Sequence, residues 1–222
     1  MPRGPRLAFQ NALYHVFNRG INKQNIFLSD EDYKFFLGKL RRLRQKYDFS
    51  IYALCLMPNH FHVSIQTRKI PISKIMSSLA TSYSMYFNRK YNHFGPVFQN
   101  RFKSILIEND SYFLGLSRYI YLNPVKAGFV KDPAKYKYTS LREVLGKEPY
   151  HFIDQDIIRL IGESEKSRKN YEKFIYEGIN ENLEDFKRLF QTEEATLGSN
   201  RFSTMAKKKY LRRKSKTISN LG

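Results

Sequence analysis

A single cysteine, Cys55, leaves no basis for an internal disulfide framework or a cysteine-rich zinc site. No apolar run approaches the ~20 residues that a membrane-spanning helix needs. Behind the charged N-terminus, Gln10 and Asn11 break any stretch that resembles a signal-peptide core. Acidic residues are scarce, 20 Asp+Glu against 39 Lys+Arg, for a formal charge of +19. A compact chain repels itself at that charge, so a polyanionic partner is expected. These shortages exclude disulfide-scaffold and membrane classes. They point to a cytoplasmic protein that meets nucleic acid; a nucleoid-associated location and no obligate small-molecule substrate are the accompanying expectations.

What is present is a 222-residue chain, 41% hydrophobic and 27% charged, enough for one main domain with an appendage. Residues 1–150 hold 24 Lys+Arg against 9 Asp+Glu, residues 151–194 hold 7 against 11, and residues 195–222 hold 8 against none. The body is therefore basic in its own right. Sixteen tyrosines and 18 phenylalanines interleave with those charges, a composition suited to stacking unpaired bases as well as to filling a core.

Residues 11–19 read as a strand, and 30–47 as a helix with Ser29 as N-cap, acids in its first turn, and Phe36, Leu40, Leu43 and Tyr47 at helical spacing. Two strands, 49–57 and 60–67, meet at Pro58-Asn59. A helix over 71–91, a strand over 97–108 and a helix from Asp110 to near Pro124 follow. The order predicts an α+β fold: a ferredoxin-like antiparallel four-stranded sheet with two helices on one face, the other face open, and a further helix after the last strand. Residues 1–147 form the expected main domain. Residues 148–222 form a helical extension, with a short helix near 139–145 at the junction and a basic tail from Arg201 to Lys216.

Pro58-Asn59-His60-Phe61-His62-Val63-Ser64-Ile65 is the sharpest feature. Alternation on a strand puts His60, His62, Ser64 and Gln66 on one face and Phe61, Val63 and Ile65 on the other. Two imidazoles at i and i+2 can converge on one divalent metal; two half-exposed histidines on a solvated face give the same pattern. On the last helix, Tyr119 and Asn123 share a face at one-turn spacing, and Leu116 and Ile120 can anchor it to the body. Pro124 pushes Asn123 toward an irregular turn, where its amide oxygen can be a third ligand. Packing by Tyr119 and capping by Asn123 is the competing reading.

The segment MPNHFH resembles the HUH motif of single-tyrosine nucleases. RYIYLNPVKAG (118–128) is similar to the tyrosine segment of the REP-associated tyrosine transposases, relatives of the small insertion-sequence transposases. HVFNRG (15–20) and GPVFQNRFKS (95–104) add to the likeness, which spans roughly residues 10–145 in matching order. The resemblance implies a ferredoxin-like nuclease that cleaves and rejoins hairpin-bearing single-stranded DNA through a 5′-phosphotyrosine. Tyr119 falls on the nucleophile, His60 and His62 on the metal and catalytic histidines, and Asn123 on the third ligand, where the insertion-sequence relatives carry glutamine. The expected ion is Mg²⁺ or Mn²⁺, and the resemblance implies either a monomer or a helix-swapped dimer. Arg19, Arg101 and Lys103 are expected to hold phosphates, the last two from one face of the fourth strand. Lys207, Lys208, Lys209, Arg212 and Arg213 are expected to add salt-sensitive DNA affinity. Two rivals remain: a non-catalytic single-stranded nucleic-acid-binding protein on the same sheet, and a metal-dependent hydrolase for which Tyr119 is dispensable.

Overall fold

The computed structural model describes residues 8–108, 110–149, 151–181, 196–206 and 208. Helix α1 (Asp30–Tyr47) begins where expected because Asp32 closes its N-terminus: this buried carboxylate accepts the backbone N–H groups of Leu28 (2.7 Å) and Ser29 (2.9 Å). It also accepts Lys90 Nζ and the hydroxyls of Tyr86 and Tyr91 from α2 (Ile72–Tyr91), so one cap ties the two helices together. Their apolar stripes, with Phe36 and Leu40 on α1 and Ile75, Leu79 and Tyr83 on α2, are fully buried. Phe36 meets Phe61 of the sheet, ring centroids 5.0 Å apart.

Strand β1 (Leu13–Arg19) pairs with β3 (His60–Gln66) and β4 (Lys103–Ile107), and β3 pairs with β2 (Ser50–Met57); all these pairings are antiparallel. The two-residue Pro58-Asn59 connection joins β2 to β3. The sheet does not stop at four strands. A two-residue β5 (Thr196–Leu197) adds parallel to β4, giving a mixed sheet in the order β2-β3-β1-β4-β5.

The fourth strand is also shorter than expected. Between the Gly20–Phe98 bridge and the Phe17–Lys103 pair, β1 advances three residues while its partner advances five. The two extra residues bulge out, and Asn18 Nδ2 donates to the Asn100 carbonyl across the gap (3.1 Å).

Nor is the second sheet face open. Helix α3 (Asp110–Lys126) lies across it, mainly over β2, and Tyr52 meets Phe113 at 5.9 Å. Every β2 residue is buried as a result, as are His15, His62 and Ser64. The cause is in α3 itself: Phe113, Leu116, Ile120, Tyr121 and Leu122 surround the helix with apolar surface, which demands cover on more than one side. Pro124 does not end it. The helix runs to Lys126 and closes at Gly128, whose φ of +75° admits the paired bonds Phe129 N–H to Pro124 O and Gly128 N–H to Val125 O.

Beyond it come α4 (Leu141–Val144), α5 (Asp156–Ile161) and α6 (Glu165–Glu177). Glu143 accepts the backbone N–H groups of His151, Phe152 and Ile153, and Asp154 accepts Ile51 N–H and Arg44, so this segment is bonded to the core. Among the described residues, no helix is long and apolar enough to cross a membrane.

Candidate active site

The β1–β3 register sets Phe17 opposite His62, Arg19 opposite His60 and His15 opposite Ser64, all on the face that α3 covers. The His60 and His62 rings stand perpendicular, centroids 5.0 Å apart. From α3, the Tyr119 ring meets His62 edge-on at 5.6 Å and 90°. Tyr119 is 9% exposed, covered but not sealed. Two elements distant in the chain thus bring their polar side chains to one place.

Hydrogen bonds orient these groups. Asn123 Nδ2 donates to the Tyr119 carbonyl (2.9 Å), which leaves the amide oxygen free of that bond, and Asn123 lies within hydrogen-bond reach of His60. On the other side of that ring, His60 Nδ1 lies 2.6 Å from Asn59 Oδ1, while Asn59 Nδ2 donates to the Lys23 carbonyl (3.2 Å). The Asn59 oxygen can only accept, so His60 carries its proton on Nδ1 and has a lone pair on Nε2. That nitrogen and the Asn123 oxygen both carry lone pairs that a proton or a cation can take.

Burial resists the proton. It pushes His60 down to about 4, with the Asn123 hydrogen bond acting upward and the Arg19 charge downward. Burial also holds His62 well below the usual histidine range, helped by its neighbours His60 and His15, and takes His15 down to about 3. All three rings are neutral at pH 7, the form that ligates metals. Among the described residues, no three His, Cys, Asp or Glu side chains are grouped to hold an ion. The side chains gathered here offer two imidazole nitrogens and one amide oxygen, a set whose chemistry would fit a divalent ion that also takes oxygen ligands from water or phosphate.

The other tyrosines lie apart. Tyr121 is fully buried, its hydroxyl 3.1 Å from Ser140 Oγ, and the buried Tyr83 donates to the Ile26 carbonyl. Tyr86 donates to Asp32 (2.9 Å), and Tyr112 lies two turns before Tyr119.

Among the basic residues, Arg19 is exposed at the strand end beside His60, and Lys103 is exposed opposite Phe17 on the site's face. Arg101 is separated from Lys103, contrary to the sequence expectation: the bulge carries it off the strand, to a shallow cleft with Ser73, Lys74 and Thr81 of α2. Lys208 lines a cleft near Leu13, the end of β1 opposite Arg19; the two strand ends lie roughly 20 Å apart at the usual strand rise. Lys207, Lys209, Arg212 and Arg213 lie outside the described residues.

Two residues escaped the sequence reading. His15 Nε2 lies 2.9 Å from His62 Nδ1, and Asn59 is more than a turn residue. Alternation along β1 groups His15 with Phe17 and Arg19, and the pairing of β1 with β3 sets it against His62.

Residues 8–123 match the sequence profile of the family described as transposase IS200 like, a span that includes His15, His60, His62, Tyr119 and Asn123. The chain is similar to a Haemophilus influenzae protein assigned as a REP-associated tyrosine transposase, 28% identical over 127 residues, covering 52% of this chain and 72% of that one. It is also similar in fold to a solved REP-associated tyrosine transposase bound to a REP hairpin, with a TM-score of 0.58 and 19% identity, covering 68% of this chain and 89% of the other.

Proposed function

The chain belongs to the family of IS200-like transposases, and from that premise we propose that it cleaves and rejoins hairpin-bearing single-stranded DNA through a covalent link to Tyr119. One observation carries the reading: Tyr119 sits edge-on to His62, while Asn123, one turn on, lies against His60. His60 and His62, through their Nε2 atoms, and Asn123, through its amide oxygen, would hold Mg²⁺ or Mn²⁺. Such an ion supplies Lewis-acid polarisation of the scissile phosphate and a template for in-line attack.

The chain's own residues do the rest. The Tyr119 oxygen bonds to phosphorus as the P–O3′ bond breaks; its proton passes to solvent, and the departing 3′ oxygen takes one up. One phosphate ester replaces another, so the 3′-OH of a second strand can reverse the step and join. Partial cover by α3 limits the water that would compete for the intermediate. Arg19 and Lys103 lie on the site's own face and are suited to phosphates.

The net charge and the hairpin in the related structure support this substrate. We read the antiparallel β2-β3-β1-β4 part, with α1 and α2 on one face, as ferredoxin-like, residues 1–147 as the nuclease unit and 148–222 as its extension. All four site residues come from one chain, so the reading needs no second copy.

Labelled hairpin DNA with Mn²⁺ or Mg²⁺ should give a protein–DNA adduct that survives denaturation. Tyr119→Phe should abolish the adduct and the cutting together while hairpin binding persists. His60→Ala should remove the metal stimulation. Normal cleavage by the phenylalanine variant would end the nucleophile assignment, and hairpin binding with no adduct from the unaltered protein would favour the non-catalytic binder.

A further inference from the structure

We infer that His15 is a positioning residue for this site: its Nε2 accepts the Nδ1–H of His62 and so fixes the tautomer that turns a lone pair on His62 Nε2 toward Tyr119 and His60. The inference rests on the reading of the site given above.

The two rings are nearly coplanar, 14° apart, with centroids 5.0 Å apart and nitrogens 2.9 Å apart. At that centroid separation the two nitrogens lie between the rings, so the contact is an in-plane N–H···N bond rather than face-to-face stacking. Both side chains are buried, His15 completely and His62 to 4% exposure, and Phe17 flanks them with its centroid 5.1 Å from His15 and 5.8 Å from His62. Neither ring turns readily in such a setting.

A neutral imidazole has one N–H, so one member of the pair donates and the other accepts. If His62 accepted, its own proton would sit on Nε2 and the site would lose a metal ligand. If His62 donates, Nε2 is the ligand. An outer partner on the second ring nitrogen is the usual device for holding a metal-binding histidine, and Asn59 performs the matching task for His60. Here an imidazole does so without placing an uncompensated carboxylate in the core.

Nitrogen NMR of the labelled, metal-free protein should find His62 protonated on Nδ1; protonation on Nε2 would overturn the inference whether or not metal binds. Mn²⁺ affinity, read by electron paramagnetic resonance without DNA, gives the second arm. His15→Leu keeps the bulk and removes the acceptor, and should weaken Mn²⁺ binding 10–100-fold. His15→Gln returns an acceptor oxygen near the lost Nε2 and should recover most of the affinity. Equal affinity in the unaltered protein and the leucine variant, or a glutamine variant as weak as leucine, would sink the role of His15 and leave the metal site standing. No Mn²⁺ affinity in the unaltered protein would remove the site reading and this inference with it. Should the leucine variant fail to fold, the glutamine variant and the tautomer measurement still decide.

Discussion

Burial acts on His15, His60 and His62 in one direction, and the sign of its effect on stability follows. In the unfolded chain each titrates near 6.5. In the folded metal-free protein His60 titrates at about 4 and His15 at about 3, with His62 also well below its ordinary value. Above pH 6.5 both states are neutral and stability is complete. As pH falls from there toward 4, the unfolded chain gains protons that the folded one refuses, and stability is lost at roughly 1.4 kcal/mol per unit for His15 and for His60. Between pH 7 and pH 5 the urea midpoint of chelator-treated protein should therefore drop, His15 and His60 each contributing about 2 kcal/mol and His62 acting in the same direction. His62→Gln should shrink the drop. A midpoint that ignores pH over this window would show that the rings are hydrated in solution.

At the scale of elements, α3 is held from both sides. Tyr119 faces the sheet, while the extension grips the rest of the helix: the Arg118 guanidinium lies 3.6 Å from the Phe174 ring centroid and pairs with Glu181, and Ser117 Oγ is 2.7 Å from Tyr171 OH. Lys126 donates to the Ile179 and Glu181 carbonyls. Gly178 permits this approach, since a Cβ there would stand 2.5 Å from Arg118 Cδ and 2.8 Å from Leu122. Arg118→Ala should lower stability by about 1–2 kcal/mol, the range for a partly desolvated cation over a ring. It should also slow adduct formation more than it weakens DNA binding, because it loosens the helix that carries the nucleophile. Unfolding curves and single-turnover cleavage check both parts. Unchanged values would mean that the extension merely rests on α3.

The α1 start and the Pro58-Asn59 turn were legible because a cap, helical spacing and turn residues mark them locally. The His60/His62 face and the Tyr119/Asn123 spacing were legible for the same reason. The closed second face was less so, although α3 carries the signal in being apolar nearly all round. β5 has two residues and no period to detect. His15 required knowing which strands are neighbours, and the bulge that moves Arg101 exists only in the pairing of one strand with another.

For the whole molecule the open matter is where the positive charge acts. Residues 207–222 carry seven Lys and Arg and no acid, so ending the chain after Ala206 lowers the formal charge from +19 to +12 and leaves Arg19 and Lys103 in place. It also keeps Thr196–Leu197 of β5 and the buried Ala206, so the packed body should survive. Phosphate contacts add affinity that falls with salt, by about 0.7 in the log–log slope for each phosphate neutralised on a single strand. If all seven charges meet phosphates, the slope should flatten by about 5; if a few do, by correspondingly less. Affinity at low salt should fall with it. The cut position should not move, because the proposed nucleophile and ligands lie at the Arg19 end of β1, whereas Lys208 approaches the Leu13 end. Titrating truncated and full-length protein onto labelled hairpin DNA across a salt series, then mapping the cleavage products, tests each part. A displaced cut would show that the tail reads sequence, and an unchanged slope would place the electrostatic binding wholly on the body.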